Sequence, residues 1–190
     1  MLVQEIVFQL NDGRSALLRS PREEEAEEMR QFIITASGQT EFLLTYPEEF
    51  DDFSVEQERE WLRSSVADPN CALIACYIDG KIAGNCQISF RPSLKERHRA
   101  SVAISLLEEF WGLGIGSRMF EELIQIAQAR PHVRQMELDF IEGNARARGL
   151  YEKMGFRITG VKPDAIRLKD GTYLNEYMMV KRLYPSAPML

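Results

Sequence analysis

The sequence predicts an α/β fold in which helices flank a central mixed sheet. Three observations lead there. Strand-like runs and amphipathic helical stretches alternate along nearly all of the 190 residues. Two hairpin signals, Asn11-Asp12-Gly13 and Asp79-Gly80, call for antiparallel neighbours. Later in the chain, strand-like runs pass into helices through turns marked by glycine or asparagine, at Gly112-Leu113-Gly114 and at Asn144.

Taken in order, the chain opens with a hairpin of Val3 to Leu10 and Ser15 to Arg19. Ser20-Pro21-Arg22-Glu23 carries helix-start signals: a serine cap, proline at the first helical position, and glutamate three residues after the cap. The helix should run to about Ala36. A long acidic connection, Ser37 to Phe53, precedes a second helix opened by Ser54-Val55-Glu56-Gln57 and ending near Asp68-Pro69. Ala72 to Ile78 and Lys81 to Phe90 form the second hairpin. Ala100 to Leu107 reads as the central strand, and Ile115, Met119, Phe120, Leu123, Ile124 and Ala127 recur at helical spacing after it. Val133 to Phe140, a short helix from Asn144, Phe156 to Val161 and Thr172 to Lys181 complete the pattern. Residues 1–182 read as one domain, without repeat, low-complexity segment or linker, and residues 183–190 as a tail.

Composition narrows the class. A chain of this length buries roughly 70% of its unfolded surface, so one core suffices without disulfide or metal. Cys71, Cys76 and Cys86 are odd in number and lie in apolar runs, as reduced core residues of a cytoplasmic protein would. His98 and His132 stand apart from any ligand cluster, so no metal site is expected. Gln4 and Glu5 stand where a secretory leader would be basic, and no apolar run reaches spanning length, which disfavours secretion and membrane insertion. The net charge of −6 argues against nucleic acid, and the mixed basic run Arg91 to Arg99 is too short to reverse it.

The chemistry concentrates at Phe110-Trp111-Gly112-Leu113-Gly114-Ile115-Gly116-Ser117. Glycines let main-chain N–H groups approach an anion, and a helix N-terminus adds free donors and a favourable dipole. Plain turn chemistry would also place glycines there. A P-loop would need Lys-Ser/Thr after its last glycine, whereas Ser117-Arg118 follows here. A dinucleotide fingerprint departs at its third glycine, although Asp139 and Glu142 lie at distances suited to a ribose.

The segment Asn144-Ala145-Arg146-Ala147-Arg148-Gly149-Leu150-Tyr151-Glu152-Lys153-Met154-Gly155-Phe156 decides among these. Asn144 is a good helix cap and Gly155 a left-handed stop. With the glycine turn, this resembles the GNAT superfamily of acetyl-CoA-dependent N-acetyltransferases, whose signature pairs R/Q-x-x-G-x-G/A with a later N-x-x-A-x-x-L-Y-x-x-x-G-F. The second half matches at Asn144, Ala147, Leu150, Tyr151, Gly155 and Phe156; the first departs at Trp111, where arginine or glutamine is commoner. The element order agrees with the GNAT fold over nearly the whole chain.

The resemblance implies a site. Acetyl transfer from thioester to amine passes through a tetrahedral oxyanion, needing donors for that oxygen and an acid for the thiolate. By resemblance, main-chain groups of Ile104, Leu106 and Leu107 receive the pantetheine arm and acetyl carbonyl. Residues 111–117 (Trp111, Gly112, Leu113, Gly114, Ile115, Gly116 and Ser117) hold the pyrophosphate. Asn144 binds a pantetheine amide or only caps its helix. Tyr151, a phenol with a reference pKa of about 10, is the acid, set against the plainer role of a core tyrosine. The base is harder to place. Ser101 stands where some relatives carry glutamate, which leaves Glu41, Glu48, Glu49, Asp51 and Asp52 of the acidic connection, with Glu41 the candidate.

These readings make the chain an acyltransferase that moves acetyl from acetyl-CoA directly to an amine of a small molecule or protein N-terminus. Two others compete: a non-catalytic acyl-CoA sensor, favoured by Ser101 and opposed by Tyr151, and a nicotinamide oxidoreductase, which would need repeated βαβ units. Homodimerisation through the late strands is common in the family, and the sequence leaves it open.

Overall fold

The structure, a computed structural model, describes residues 1–184. Its elements are β1 (Ile6–Gln9), β2 (Ser15–Arg19), α1 (Ala26–Gly38), α2 (Val55–Ala67), β3 (Cys71–Ile78), β4 (Lys81–Phe90), β5 (Arg99–Leu106), α3 (Ile115–Gln128), β6 (Gln135–Ile141), α4 (Ala145–Lys153), β7 (Arg157–Arg167) and β8 (Tyr173–Arg182). The strands form one mixed sheet in the order β1-β2-β3-β4-β5-β6-β8-β7, with β5 and β6 parallel. The repeated βαβ units of a nicotinamide enzyme are absent from the described residues. Asp139 and Glu142, the ribose candidates of that reading, are engaged elsewhere: Asp139 pairs with Lys162 at 2.9 Å, and Glu142 accepts from the Asn175 N–H.

The chain divides into two compact units, Met1–Ser89 with Ala103–Met119, and Phe90–Val102 with the residues from Phe120 onward. The first unit holds nineteen acidic and eight basic side chains, so its own field is negative. Its core packs Met29 and Phe32 of α1 and Leu62 of α2 against Leu73 and Ala75 of β3. Every residue of β3 is buried, as expected of a strand covered on both faces. A carboxyl of α2, Glu58, is buried with it: only 2% exposed, with Oε1 lacking a hydrogen-bond partner. Burial outweighs the nearby Arg30 guanidinium and pushes its pKa up to about 7.

The start of α1 differs from the expectation. Ser20 does not cap it. Its hydroxyl, buried, accepts from the Val3 N–H and donates to the Leu73 carbonyl. The helix therefore begins later, through a 3₁₀ turn at Glu23–Glu25 in which the Glu25 carboxylate accepts from the Arg22 N–H. Ser54 does cap α2, with Gln57 completing a reciprocal capping box.

In the second unit, Phe120 and Leu123 of α3, Met136 and Leu138 of β6, Phe156, and Met179 of β8 are buried. Strand β7 runs to Arg167, six residues beyond the expected Val161. It does so by a bulge at residues 163–165, where Asp164 takes φ 50° and its N–H donates to the Asn175 side chain. Of the expected tail, Leu183 and Tyr184 are tied to the unit: the Leu183 N–H donates to the Arg134 carbonyl, and the Arg134 guanidinium lies 5.0 Å from the Tyr184 ring centroid. Residues 185–190 lie outside the described residues.

Candidate active site

The ladder from β5 to β6 pairs Arg99, Ala100 and Ser101 with Gln135, Met136 and Glu137 and ends there, although β5 continues to Leu106. Successive residues of a strand aim their main-chain groups at opposite neighbours. The Leu107 N–H donates to the Ala83 carbonyl of β4 at 3.0 Å, so Leu107 faces β4, and Ile104 and Leu106 aim the other way, beyond the last β5–β6 pair. A strand in the middle of the sheet thus keeps Ala103 exposed and Ile104, Ser105 and Leu106 half-buried.

This corrects one expected main-chain contact. Leu107 has no open main-chain group, because its carbonyl also accepts from the Phe110 N–H. The Leu106 carbonyl is taken too, by the Trp111 indole N–H at 3.0 Å. What β5 offers is the N–H and carbonyl of Ile104 and the N–H of Leu106. Gly84 on β4 allows this packing: a Cβ there would lie 2.2 Å from a Leu106 methyl and 2.8 Å from the Ser105 carbonyl oxygen.

The glycine turn follows within the same unit. Gly112 and Gly114 have φ of 78° and 90°, conformations that favour glycine, and open space stands where a Cβ on Gly112 would project. Helix α3 starts at Ile115, and Gly114 accepts the first bond from the Arg118 N–H. Among the described residues, the N–H groups of Gly112 to Gly116 donate to no main-chain acceptor, which leaves a run of donors at a helix N-terminus. Asn11, from the β1–β2 turn, fixes this run. Its N–H donates to the Leu113 carbonyl and its amide nitrogen to the Gly112 carbonyl. Sequence reasoning saw Asn11 only as turn chemistry, since nothing in the sequence ties it to a segment a hundred residues away.

The second unit carries the remaining candidates. The Asn144 side-chain oxygen accepts from the Ala147 N–H at 3.1 Å, capping α4, while its amide nitrogen donates to nothing among the described residues. Tyr151 is 7% exposed, between Phe120, Phe140 and Phe156 with centroids 5.5 to 6.3 Å away. Its hydroxyl has no hydrogen-bond partner among the described residues, and burial pushes its pKa up to about 12. Ser101 accepts from Arg91 at 3.0 Å.

The acidic connection is more ordered than a solvated loop. Its 3₁₀ turn, Pro47–Phe50, is capped by Glu49 accepting from the Tyr46 N–H, and Arg30 of α1 donates to the Phe50 and Phe53 carbonyls. Glu41 is exposed and makes no hydrogen bond or ion pair among the described residues. Cys71, Cys76 and Cys86 are free and buried, and the Cys76 thiol is pushed up to about 12, which leaves it inert as a nucleophile at neutral pH. No helix of the described residues is long and apolar enough to cross a membrane.

Comparison with known proteins bears directly on this arrangement. The acetyltransferase (GNAT) family profile matches residues 36–156. The L-amino acid N-acetyltransferase AaaT of Escherichia coli (strain K12) is 29% identical over 109 residues, 57% of this chain and 66% of that protein, so the chain spans just under two thirds of this relative. A GNAT-family acetyltransferase from Streptococcus pneumoniae superposes with a TM-score of 0.81 at 27% identity, covering 88% of this chain and 99% of that one. The yncA protein of Salmonella typhimurium, solved with its cofactor acetyl-CoA, shares the fold at 17% identity and a TM-score of 0.74, covering 90% and 96%. With the family profile spanning well over half its length, this chain belongs to the GNAT acetyltransferase family.

Proposed function

We propose that the chain is an N-acetyltransferase that carries acetyl from acetyl-CoA directly to a primary amine, of a small molecule or a protein N-terminus, within a ternary complex. The observation that supports this best is the succession, in one unit, of an open main-chain edge on β5 and a glycine turn that opens α3. When bound, acetyl-CoA supplies an activated thioester. The N–H groups of Gly112 to Gly116 suit its pyrophosphate, with the positive end of α3 behind them. Ile104 and the Leu106 N–H suit the amide-bearing arm and the acetyl oxygen, and Asn144 has a donor left for the same arm.

Tyr151 keeps its proton at neutral pH, because burial raises its pKa. A phenol near 12 is a weaker acid than a thiol of about 8.5. Its O–H therefore donates a hydrogen bond to the departing sulfur and stabilises the developing thiolate, which can leave without taking the phenol's proton. The amine's proton goes to a carboxylate of the acidic first unit, with Glu41 the candidate from the connection. Cytoplasmic operation accords with three free cysteines.

The test is a calorimetric titration with acetyl-CoA, with a nicotinamide dinucleotide for comparison, followed by a CoA-release assay over an amine panel. Saturable acetyl-CoA binding and amine-dependent CoA release are expected. Folded protein that ignores acetyl-CoA would overturn the reading; binding without release from any amine would make the chain a sensor.

A further inference from the structure

The sheet of the first unit changes character between β3 and β4. Leu73 and Ala75 of β3 pair with Gln87 and Asn85 of β4, so these side chains leave the sheet on one face. Over β3 that face is apolar and packs against α1 and α2. Over β4 it is polar: Asn85, Gln87 and Ser89 are half-buried, while Gly84, Cys86 and Ile88 of the opposite face are buried. The polar row continues onto β5. The bond from the Leu107 N–H to the Ala83 carbonyl sets Ser105 opposite Asn85 and Ala103 opposite Gln87, and Ala103 is exposed although its strand lies inside the sheet. An interior strand pair with one polar face open to water is a trough, not a core.

Two side chains of this trough are locked together. The Ser105 hydroxyl donates to the Asn85 side-chain oxygen at 2.7 Å. A hydroxyl has a single proton to give and lone pairs to receive with. With its proton committed to Asn85, the Ser105 oxygen is left as an acceptor, and it accepts from nothing among the described residues. Gln87, by contrast, spends its amide on Ser89 and Cys71. Ser105 stands between Ile104 and Leu106, whose main-chain groups are open past the last β5–β6 pair. An unfilled acceptor thus sits a single residue from each of the groups suited to the amide-bearing arm and the acetyl oxygen.

We propose that the acceptor amine lies on this trough, that Ser105 holds the N–H that survives in the product, and that Asn85 is a positioning residue that keeps the Ser105 oxygen turned to accept; this rests on the acetyl-transfer reading above. As the amine nitrogen bonds to the acetyl carbon, the C–S bond breaks and sulfur leaves as thiolate. A neutral primary amine carries two N–H bonds. The proton of one departs to a carboxylate, and the other stays in the amide, held by Ser105. A secondary amine has a single N–H, which must leave, so nothing remains for Ser105 to hold. The trough therefore selects primary over N-methyl amines. It does so at the bond-forming step and not on binding, because both kinds arrive as ammonium with an N–H to spare.

The experiment measures CoA release, with kcat and KM resolved, for benzylamine, L-leucine and an alanyl peptide, each against its N-methyl counterpart. Ser105→Ala should lower kcat for the fastest primary amine by about fivefold to tenfold, the size of one hydrogen bond, and leave its N-methyl partner nearly unchanged. Asn85→Leu, similar in shape but without an acceptor, should do the same without making room beside Ser105. Asn85→Asp, which still accepts, should keep the primary preference. Circular dichroism melting checks that the variants fold, and the acetyl-CoA Kd, read by calorimetry, should not move in any of them. A preference that survives Ser105→Ala and Asn85→Leu, or equal falls for both kinds of amine, would overturn the assignment and make the pair a brace within the sheet. That result, with CoA still released, sinks the trough alone. If no primary amine releases CoA from folded protein, the acetyl-transfer reading falls and takes the trough with it.

Discussion

The two units carry their candidate residues in different materials. The first offers main chain: the edge of β5 at Ile104 and Leu106, and the amides of the glycine turn. The second offers side chains: the Asn144 amide and the Tyr151 phenol. A site made of main chain depends on conformation and spacing, so it is damaged by adding atoms that move the backbone. A site made of side chains is damaged by removing the atom that acts.

The largest expected effect lies in the second unit. Tyr151→Phe removes one oxygen from a ring whose packing against Phe120, Phe140 and Phe156 is otherwise unchanged. We expect kcat to fall by about 100-fold, the lower end for loss of an acid catalyst, with the acetyl-CoA Kd nearly unchanged. The melting temperature should not drop, since the hydroxyl has no hydrogen-bond partner to lose. Stopped-time CoA release and calorimetry on one preparation check all three, and unaltered turnover would remove Tyr151 from the chemistry.

Next is an addition in the first unit. Gly114→Ala puts a Cβ at φ 90° and 3.2 Å from the Asn11 side-chain oxygen. Left-handed backbone costs a non-glycine residue roughly 1–2 kcal/mol, so acetyl-CoA affinity should weaken about tenfold while the amine dependence keeps its form. A smaller effect on binding, with a larger one on stability, is expected at Gly84→Ala. There the new methyl meets the Ser105 carbonyl oxygen at 2.8 Å and must push β4 from β5. Overpacking of this kind costs about 1–3 kcal/mol, read as a lower urea midpoint. If Gly84→Ala and Tyr151→Phe had the same signature, the contrast between the two materials would be wrong.

The same distinction explains what could be read beforehand. Hairpin turns, the Ser54 cap, the bounds of β4 and the glycine turn were legible because each depends on conformation that a local residue choice dictates. Ser20 misled because its hydroxyl satisfies strand groups at Val3 and Leu73, a tertiary use that overrides a good local cap. Strand β7 was cut short because Lys162-Pro163-Asp164 has turn chemistry, which the chain spends on a bulge. The hold of Asn11 on the glycine turn was invisible, since it exists only once distant segments meet. Leu107 was expected to offer a main-chain group, and only its hydrogen bonds to Ala83 and Phe110 show that both of its groups are taken.

Glu58 carries a consequence for the folding reaction itself. In the unfolded chain its carboxyl ionises near the ordinary 4.5, whereas in the folded protein burial holds the proton until about 7. Between those values the unfolded chain binds fewer protons, so folding takes one up from the solvent. Stability contributed at this residue is therefore highest below pH 4.5, falls as pH rises through the window, and levels off above 7. Melting curves from pH 5 to 8 should slope downward in the native chain and flatten in Glu58→Gln. A protein whose unpaired acid sits in the α1–α2 core is in this sense a weak proton acceptor each time it folds.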